Sequence, residues 1–324
     1  MDNTPSAYRP RYLPLPLKTL RSGTRLPADI FVRPAPGQYM LCASMDSPVN
    51  PDMKAQIAWT GFTTVYVPHL HCEALYDYLE KNLRRIIEGD GNGGGDSAAF
   101  IFESADSLMR HLWEHTDTTA ALQRVRTAVE AAVWVIMQNK SALRNILNIA
   151  GHDYYTYTHC IHVSALMIAA CDIIFSYSKK QLLSVGLGAM LHDIGKRNIP
   201  GNILKKPGSL SLEEFRDIMK HPMWGLELAE EAQKIRRHAR GIIMSHHERF
   251  EGGGYPAGIP SKNLDEPTRM AKIVDVYDAL TNHRPYGPAI TPQEAVNMMQ
   301  TGMDGHFDGR LLREFVAFMG MGRN

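Results

Sequence analysis

The stretch from Lys179 to Pro200, KKQLLSVGLGAMLHDIGKRNIP, carries the strongest structural signal in this chain of 324 residues. Its apolar residues have the spacing of a helix, which ends at the adjacent pair His192-Asp193. A charge buried beside an apolar helix is costly unless it has a partner. A divalent cation bound by imidazole and carboxylate groups is one such partner. Nitrogen and oxygen ligands without thiolates favour Fe, Mn or Zn.

The region after Phe100 has a helical period almost throughout. Helices are predicted at residues 103–115, 118–138, 140–150, 156–176, 179–192, 211–220, 225–247, 266–282, 291–301 and 309–319. Histidines and aspartates recur at the ends of these helices: His159, His162, His192-Asp193, His221, His246-His247 and Asp275. A lone histidine on an apolar helix usually packs in the core or caps it, whereas adjacent pairs are harder to explain without a ligand.

Five motifs follow one another in this helical region. They are His192-Asp193-Ile194-Gly195-Lys196, His221-Pro222, His246-His247-Glu248, Gly254-Tyr255-Pro256, and Asp275 followed by Arg284-Pro285-Tyr286. In order and spacing they resemble the HD-GYP family, a bacterial branch of the HD phosphohydrolase superfamily that hydrolyses cyclic di-GMP. The resemblance covers about residues 150–316. An HD dipeptide alone is weak evidence, whereas the ordered set is specific.

The resemblance implies a metal-dependent phosphodiesterase of bacterial signalling. It would convert cyclic di-GMP to linear pGpG, with GMP as a further product, through a hydroxide that bridges two divalent ions. Fe or Mn is favoured, with Zn or Ni as alternatives. The implied metal ligands are His159, His192, Asp193, His221, His246, His247 and Asp275. Asp193 would bridge the ions and act in catalysis with Lys196, which would neutralise a phosphate oxygen. Tyr255 and Arg284 would line the substrate cleft with Lys196.

Some positions depart from the family pattern. Tyr155 stands where some members have a Glu that completes a third metal site, and a phenol with a pKa of about 10 cannot replace a carboxylate. A binuclear centre is therefore favoured, since Asp153 lies about 120° away around the helix. His162 stands where the family more often has Asn, and a supporting role is favoured over an extra ligand. Gly287 replaces a basic residue common in members active on cyclic di-GMP, so a mixed cyclic dinucleotide stays open as substrate.

Residues 1–88 predict a small α+β module. Strands are expected at 29–33, 38–42 and 63–67, and helices at 51–60 and 71–87, the first capped by Asn50 or Asp52. Residues 89–98, GDGNGGGDSA, have the composition of a flexible linker. The remaining residues, 99–324, form the helical region. The predicted fold is thus an α+β module followed by an all-α HD-GYP domain, and the module's role as a sensor, docking surface or assembly domain stays open.

Composition excludes several classes of protein. The 35 Lys and Arg residues nearly cancel the 34 Asp and Glu residues, and a net charge of +1 argues against a general DNA- or RNA-binding protein. Four scattered cysteines without a C-x-x-C pair favour a reducing cytoplasm. The N-terminus lacks the apolar core of a signal peptide. No membrane span is expected, because the apolar stretch 163–175 is short and contains Asp172.

Other parts of the sequence permit alternatives to this interpretation. One is a non-catalytic receptor for a cyclic dinucleotide. Such a protein could also be a signalling module that binds partner proteins through the N-terminal module or through the loop around Gly254-Tyr255-Pro256, here called the GYP loop. Another is a zinc peptidase, because His111 to His115 matches H-x-x-E-H, but no convincing third ligand follows. The apolar stripe of the helix 118–138 is expected to pack in the core, with a homodimer seam as the alternative.

Overall fold

The computed structural model describes residues 12–89, 95–114, 118–139, 141–147, 156–282 and 289–320. A small antiparallel sheet with two helices comes first, and a helical region follows. This is the order of elements that the sequence predicts.

The sheet contains strands β1 (Tyr12–Pro16), β2 (Ile30–Ala35), β3 (Gln38–Ala43) and β4 (Thr64–Pro68), in the order β1-β4-β2-β3 with antiparallel neighbours. Strand β1 was not predicted, because Pro14 and Pro16 interrupt its pattern. Proline removes a ladder hydrogen bond and is tolerated on an edge strand, which β1 is. Leu15 and Val65, which face each other across β1 and β4, are fully buried.

Two helices complete the N-terminal module, α1 (Pro51–Trp59) and α2 (Cys72–Ile87). The Asn50 side chain accepts a hydrogen bond of 2.8 Å from the Met53 N–H, so Asn50 is the residue that caps α1. Helix α2 buries the apolar residues that its sequence places on one face: Leu75, Leu79, Leu83 and Ile86.

Helix α3 (Gly95–Glu114) begins inside the segment 89–98 that composition predicts as a linker. The linker prediction is therefore wrong for residues 95–98, and residues 90–94 lie outside the described part of the chain. Ala98 and Phe100 are buried, so tertiary packing starts the helix earlier than the polar, glycine-rich composition indicates. The predicted start at 103 is late for the same reason.

The remaining helices are α4 (Thr118–Gln138), α5 (Ser141–Leu147), α6 (Thr156–Phe175), α7 (Lys179–Leu191), α8 (Gly201–Leu204), α9 (Leu212–Ile218), α10 (His221–Ala232), α11 (Arg237–Ser245), α12 (Glu266–Thr281), α13 (Pro292–Thr301) and α14 (Gly309–Phe318). The single helix predicted at 225–247 is wrong. It is two helices, because Gln233 and Arg236 have extended backbone angles. Pro222 in the first turn of α10 fits that helix's earlier start.

Helix α6 lies in the core, packed against α3, α4, α7 and α12. Its segment Tyr157–Phe175 is long and apolar enough to cross a membrane, and 78% of its most apolar part is buried within the protein. That burial is typical of a core helix. The apolar stripe of α4 also packs in the core, since Val125, Val129 and Val133 are buried. It therefore offers no exposed seam for a second copy.

Helix α2 of the N-terminal module packs directly on α4 of the helical region. Arg124 of α4 donates to Glu73 at 2.8 Å and to Asp77 at 2.7 Å, both on α2. Its guanidinium also lies 5.6 Å from the centre of the Tyr76 ring. The module and the helical region are thus joined by a buried cation as well as by apolar contacts.

Candidate metal centre

The side chains that the family resemblance implies as metal ligands lie in two groups. In each group, one donor atom per side chain lies within 4.8 Å of the others. The first group is Asp193, His221, His246 and His247, and the second is His159, His192 and Asp275. Together the two groups contain all seven implied ligands.

Separate helices bring these side chains together. His159 lies in the first turn of α6, His221 begins α10, and Asp275 lies within α12. The pairs His192-Asp193 and His246-His247 come directly after α7 and α11. Ligands at helix ends and on a rigid helix are held more precisely than ligands on mobile loops.

Gly195 allows the turn after Asp193 to approach α10. A Cβ atom at this position would lie 2.0 Å from the His221 carbonyl oxygen and 2.5 Å from the Gly225 nitrogen. A residue with a side chain would therefore push the turn away from His221. This is a physical reason for the glycine in the His-Asp-Ile-Gly-Lys motif.

Asp193 belongs to the first group and also faces the second. Its Oδ1 is 3.3 Å from His221 Nε2 and 4.0 Å from His246 Nε2, whereas its Oδ2 is 3.5 Å from His192 Nε2. The two carboxylate oxygens therefore face different groups. This is the arrangement that a bridging ligand requires.

Backbone carbonyls set the orientation of three histidines. Nδ1 of His192 donates to Ala189 O at 2.6 Å, Nδ1 of His221 to Ile218 O at 2.7 Å, and Nδ1 of His246 to Ile242 O at 3.0 Å. Because a carbonyl only accepts, each Nδ1 carries the proton. Each Nε2 then has a free lone pair for a metal.

The donor set fits a divalent transition metal. His192 Nε2, His247 Nε2 and Asp193 Oδ1 are buried and have no hydrogen-bond partner among the described residues. Buried polar atoms without partners are rare and call for an explanation. A bound cation would satisfy all three, and imidazole with carboxylate suits Fe, Mn, Zn or Ni.

Burial keeps most of these histidines neutral, which is the form that binds metal. It lowers the pKa of His221 to about 4, and it lowers the pKa of His192, His246 and His247. Burial would raise the pKa of Asp193, but the Lys196 ammonium and the nearby imidazoles together outweigh burial and hold that pKa well below its usual range. These donors are therefore ready to bind a cation at neutral pH.

His159 behaves differently. Burial would lower its pKa, but hydrogen bonds to Asp275 and Asp278 outweigh that effect and raise the pKa to about 9. His159 Nε2 lies 3.0 Å from Asp275 Oδ1, and His159 Nδ1 lies 2.7 Å from Asp278 Oδ2. A metal at Nε2 would displace the proton there.

Two residues implied in substrate binding flank the first group. Lys196 Nζ lies 2.6 Å from Asp193 Oδ2, and the lysine side chain is 25% exposed. The Tyr255 ring stacks on the His247 ring with centroids 4.4 Å apart. The other expected features at Arg284, Gly287, Tyr155 and Asp153 lie outside the described residues.

The structure separates His162 from both ligand groups. Its Nδ1 is 3.5 Å from Asp278 Oδ1, and its ring packs near Phe102. It lies behind the carboxylate that holds His159, which favours a supporting role. His111, from the rejected peptidase pattern, is buried with its ring 4.0 Å from the Tyr76 ring, and His115 lies outside the described residues.

Sequence reasoning missed Asp278 and the role of Glu248. Asp278 follows Asp275 by three residues, so the two carboxylates share a helix face, and that spacing could have revealed it. Glu248 is buried, and its Oε1 accepts hydrogen bonds from the backbone N–H groups of Ala257 at 2.7 Å and Gly258 at 3.0 Å. These two hydrogen bonds hold the GYP loop against the segment that contains His246-His247.

Comparison with known proteins identifies the class to which this site belongs. An HD-domain family model matches residues 141–311, more than half of the chain. The chain therefore belongs to the HD-domain family. The predicted HD-GYP relationship is confirmed by its relatives, several of which are named cyclic di-GMP phosphodiesterases.

One relative is a cyclic di-GMP phosphodiesterase of Pseudomonas aeruginosa, 34% identical over 186 residues that cover 57% of this chain and 44% of that protein. A probable cyclic di-GMP phosphodiesterase of Vibrio cholerae is 37% identical over 135 residues, 40% of this chain and 31% of that protein. A 3′3′-cGAMP-specific phosphodiesterase of Vibrio cholerae is 32% identical over 135 residues, 39% of this chain and 26% of that protein. The chain spans less than half the length of these relatives.

The fold has a counterpart among solved structures. Bd1817, an HDG"Y"P protein of Bdellovibrio bacteriovorus, superimposes with a TM-score of 0.71 at 20% identity. The match covers 95% of this chain and 99% of that chain, so it includes elements of the N-terminal module. The predicted fold class is confirmed.

Proposed function

We propose that this protein is a metal-dependent phosphodiesterase that hydrolyses cyclic di-GMP to linear pGpG, with GMP as a further product. The observation that carries the proposal is the convergence of seven imidazole and carboxylate donors in two groups, with the two oxygens of Asp193 facing one group each. The names of the relatives support the substrate.

Two divalent ions, Fe or Mn before Zn or Ni, are the proposed cofactor. The two donor groups, each facing a different oxygen of Asp193, support this number. Bound ions of this kind activate a water molecule and offset the negative charge that develops on a phosphodiester during hydrolysis. The donor types support ions that accept nitrogen and oxygen ligands together.

The chain's own residues have distinct proposed roles. Asp193 holds the two groups together, and Lys196, beside it and partly exposed, neutralises a phosphate oxygen. Tyr255 lines the substrate cleft next to His247. Arg284 is assigned to the same cleft by the family resemblance. We further propose that the protein works in the cytoplasm and that signalling partners contact its GYP loop or N-terminal module.

A mixed cyclic dinucleotide is the second candidate substrate. Relatives that are specific for 3′3′-cGAMP support it, as does Gly287 in place of a basic residue. A non-catalytic receptor is the remaining alternative, and it would bind the dinucleotide without producing a linear product.

Metal analysis combined with product chromatography tests this proposal. Anaerobically purified protein should contain about two metal ions per chain and convert cyclic di-GMP to pGpG faster than 3′3′-cGAMP. The double variant His192→Ala/Asp193→Ala should lose most of the metal and all turnover, whereas Asp304→Ala, at an exposed position, should lose neither. A double variant that keeps its metal and activity contradicts the site. Wild-type protein that binds but does not cleave is a receptor, and faster cleavage of 3′3′-cGAMP assigns the other substrate.

A further inference from the structure

An exposed aromatic side chain, Phe215, lies next to the metal centre. Phe215 is 44% exposed, and its ring meets the Tyr255 ring edge-on, with centroids 6.2 Å apart and an angle of 80° between the planes. Tyr255 in turn stacks on His247, a member of the first ligand group. A row of three rings therefore runs from the donor atoms to the surface.

Helix α9 holds Phe215 in place. The Ser211 hydroxyl accepts from the Glu214 N–H at 3.1 Å, and the Glu214 carboxylate accepts from the Ser211 N–H at 2.6 Å, which is a capping box. Lys206 Nζ also binds the Glu214 carboxylate at 2.6 Å. An aromatic ring on an anchored helix is preorganised and loses little freedom when a ligand binds.

The charges around Phe215 are compatible with an anionic ligand. Helix α9 carries three acidic side chains: Glu214 pairs with Lys206, Asp217 pairs with Lys220 at 2.7 Å, and Glu213 lies at an exposed position. Lys196 lies beside the first ligand group, with its Nζ 2.6 Å from Asp193 Oδ2. Two of the three carboxylates on this helix are thus offset by lysines, and a phosphate over the donor atoms has Lys196 as a further cation.

We infer that Phe215 and Tyr255 form a stacking corner for one purine base of the cyclic dinucleotide. This inference rests on the proposed function. Two rings at nearly a right angle present two apolar walls, and a flat base that stacks on one wall meets the other with its edge. The phosphodiester on the ribose of that nucleotide then lies toward His247 and the other donors. Any base can stack on an aromatic ring, so Phe215 increases affinity for the base without discriminating guanine from adenine.

Kinetics of Phe215 variants test the inference. Phe215→Ala should raise KM for cyclic di-GMP about tenfold, which corresponds to about 1.4 kcal/mol, and change kcat less than about twofold. Metal content should stay at the wild-type level. Phe215→Tyr and Phe215→Trp should restore KM, whereas Phe215→Leu, which is apolar without a π face, should not. Leu212→Ala is the matched control, because Leu212 is an exposed apolar residue without a ring on the same helix, with 79% of its surface exposed.

Direct binding separates this inference from the proposed function. Titration should show that Phe215→Ala weakens binding of cyclic di-GMP but leaves binding of ribose 5-phosphate, which has no base, unchanged. If the wild type cleaves cyclic di-GMP and Phe215→Ala has wild-type KM and affinity, the stacking corner is wrong and the function stands. If the wild type binds cyclic di-GMP but does not cleave it, the proposed function is wrong. The stacking corner then stands if Phe215→Ala binds cyclic di-GMP more weakly than the wild type, and is wrong if the two bind equally. If the wild type binds no cyclic di-GMP, both are overturned.

Discussion

Asp278 shows, at the scale of a single residue, how a carboxylate outside the ligand set can position a ligand. Its Oδ2 accepts from His159 Nδ1 at 2.7 Å, and its Oδ1 accepts from Asn282 Nδ2 at 2.8 Å. The second hydrogen bond fixes the carboxylate, and the first fixes the imidazole. Nε2 of His159 is thereby directed toward Asp275 and the centre.

We therefore expect Asp278→Asn to weaken metal binding about 10- to 100-fold, the usual effect of removing an outer hydrogen-bond partner of a ligand. The amide is a weaker acceptor and no longer stabilises the imidazole proton. Competition against a chelator measures the affinity without any assay of activity. Asp304→Asn, an exposed aspartate, serves as control. Equal metal affinity in Asp278→Asn and wild type would show that the hydrogen bond does not position His159.

Glu103 gives a second prediction at this scale, away from the centre. Burial, with a smaller contribution from Asp106, raises the pKa of Glu103 from 4.5 to about 7. The folded state therefore holds a proton that the unfolded chain releases between these values, so this residue's contribution to stability falls as pH rises from about 4.5 to about 7.

The variant Glu103→Gln is neutral at every pH, and its free energy of unfolding should match that of the wild type near pH 4.5. Above pH 7 it should be more stable by about 1–2 kcal/mol, a value reduced for the partial exposure of the side chain. Denaturant unfolding at several pH values measures the difference. Glu213→Gln, at an exposed position, is the control and should show no such divergence. A constant difference between Glu103→Gln and wild type across this pH range would refute the assignment.

At the scale of elements, the GYP loop owes its position to contacts with the segment after α11. Glu248 accepts two backbone hydrogen bonds from the loop. A Cβ atom on Gly254 would lie 2.5 Å from the His247 carbonyl oxygen, so only glycine permits this close approach. The loop thus brings Tyr255 onto His247 because its backbone lies directly against the histidine pair.

Glu248→Ala should release this loop. We expect the Ala257 and Gly258 amides to exchange with solvent about tenfold faster or more, because each loses a hydrogen bond to a carboxylate. KM should rise with metal content unchanged. Glu248→Gln keeps an acceptor at Oε1 and should remain close to wild type in amide exchange. Equal exchange in the Ala variant and wild type would mean that other contacts hold the loop.

At the scale of the whole molecule, the N-terminal module and the helical region share one buried core. Buried apolar residues run from Leu15 and Val65 in the sheet, through Leu79 in α2, to Val129 in α4 and Leu166 in α6. Helix α4 also packs on α7, the helix that leads into His192. A continuous core of this kind favours unfolding as one cooperative unit.

We expect thermal unfolding to give one transition, at the same temperature by far-UV and near-UV circular dichroism. Arg124→Ala should lower the stability by about 1–3 kcal/mol, because it removes a packed side chain and the partner of Glu73 and Asp77. Arg124→Lys keeps the charge but lacks the planar guanidinium, so its stability should lie between those of the wild type and Arg124→Ala. Two separated transitions in the wild type would show that the module folds independently.

Much of the local structure could be predicted from sequence. The apolar period located α4, α6, α7, α12, α13 and α14 to within about one residue at either end. This period reflects contacts within one helix face, which are local in sequence. The family resemblance implied seven metal ligands, six of them within the motifs, and the structure places all seven in two groups of donor atoms.

Tertiary contacts decided the rest. Strand β1 forms because it pairs with β4 at the edge of the sheet. Helix α3 begins at Gly95 because Ala98 and Phe100 are buried in the core. The placement of Asp278 behind His159 joins residues 119 positions apart. Sequence by itself determined which residues could bind a metal and which segments could be helical. Only the folded chain decided which atoms meet, because those distances depend on packing between segments far apart in sequence.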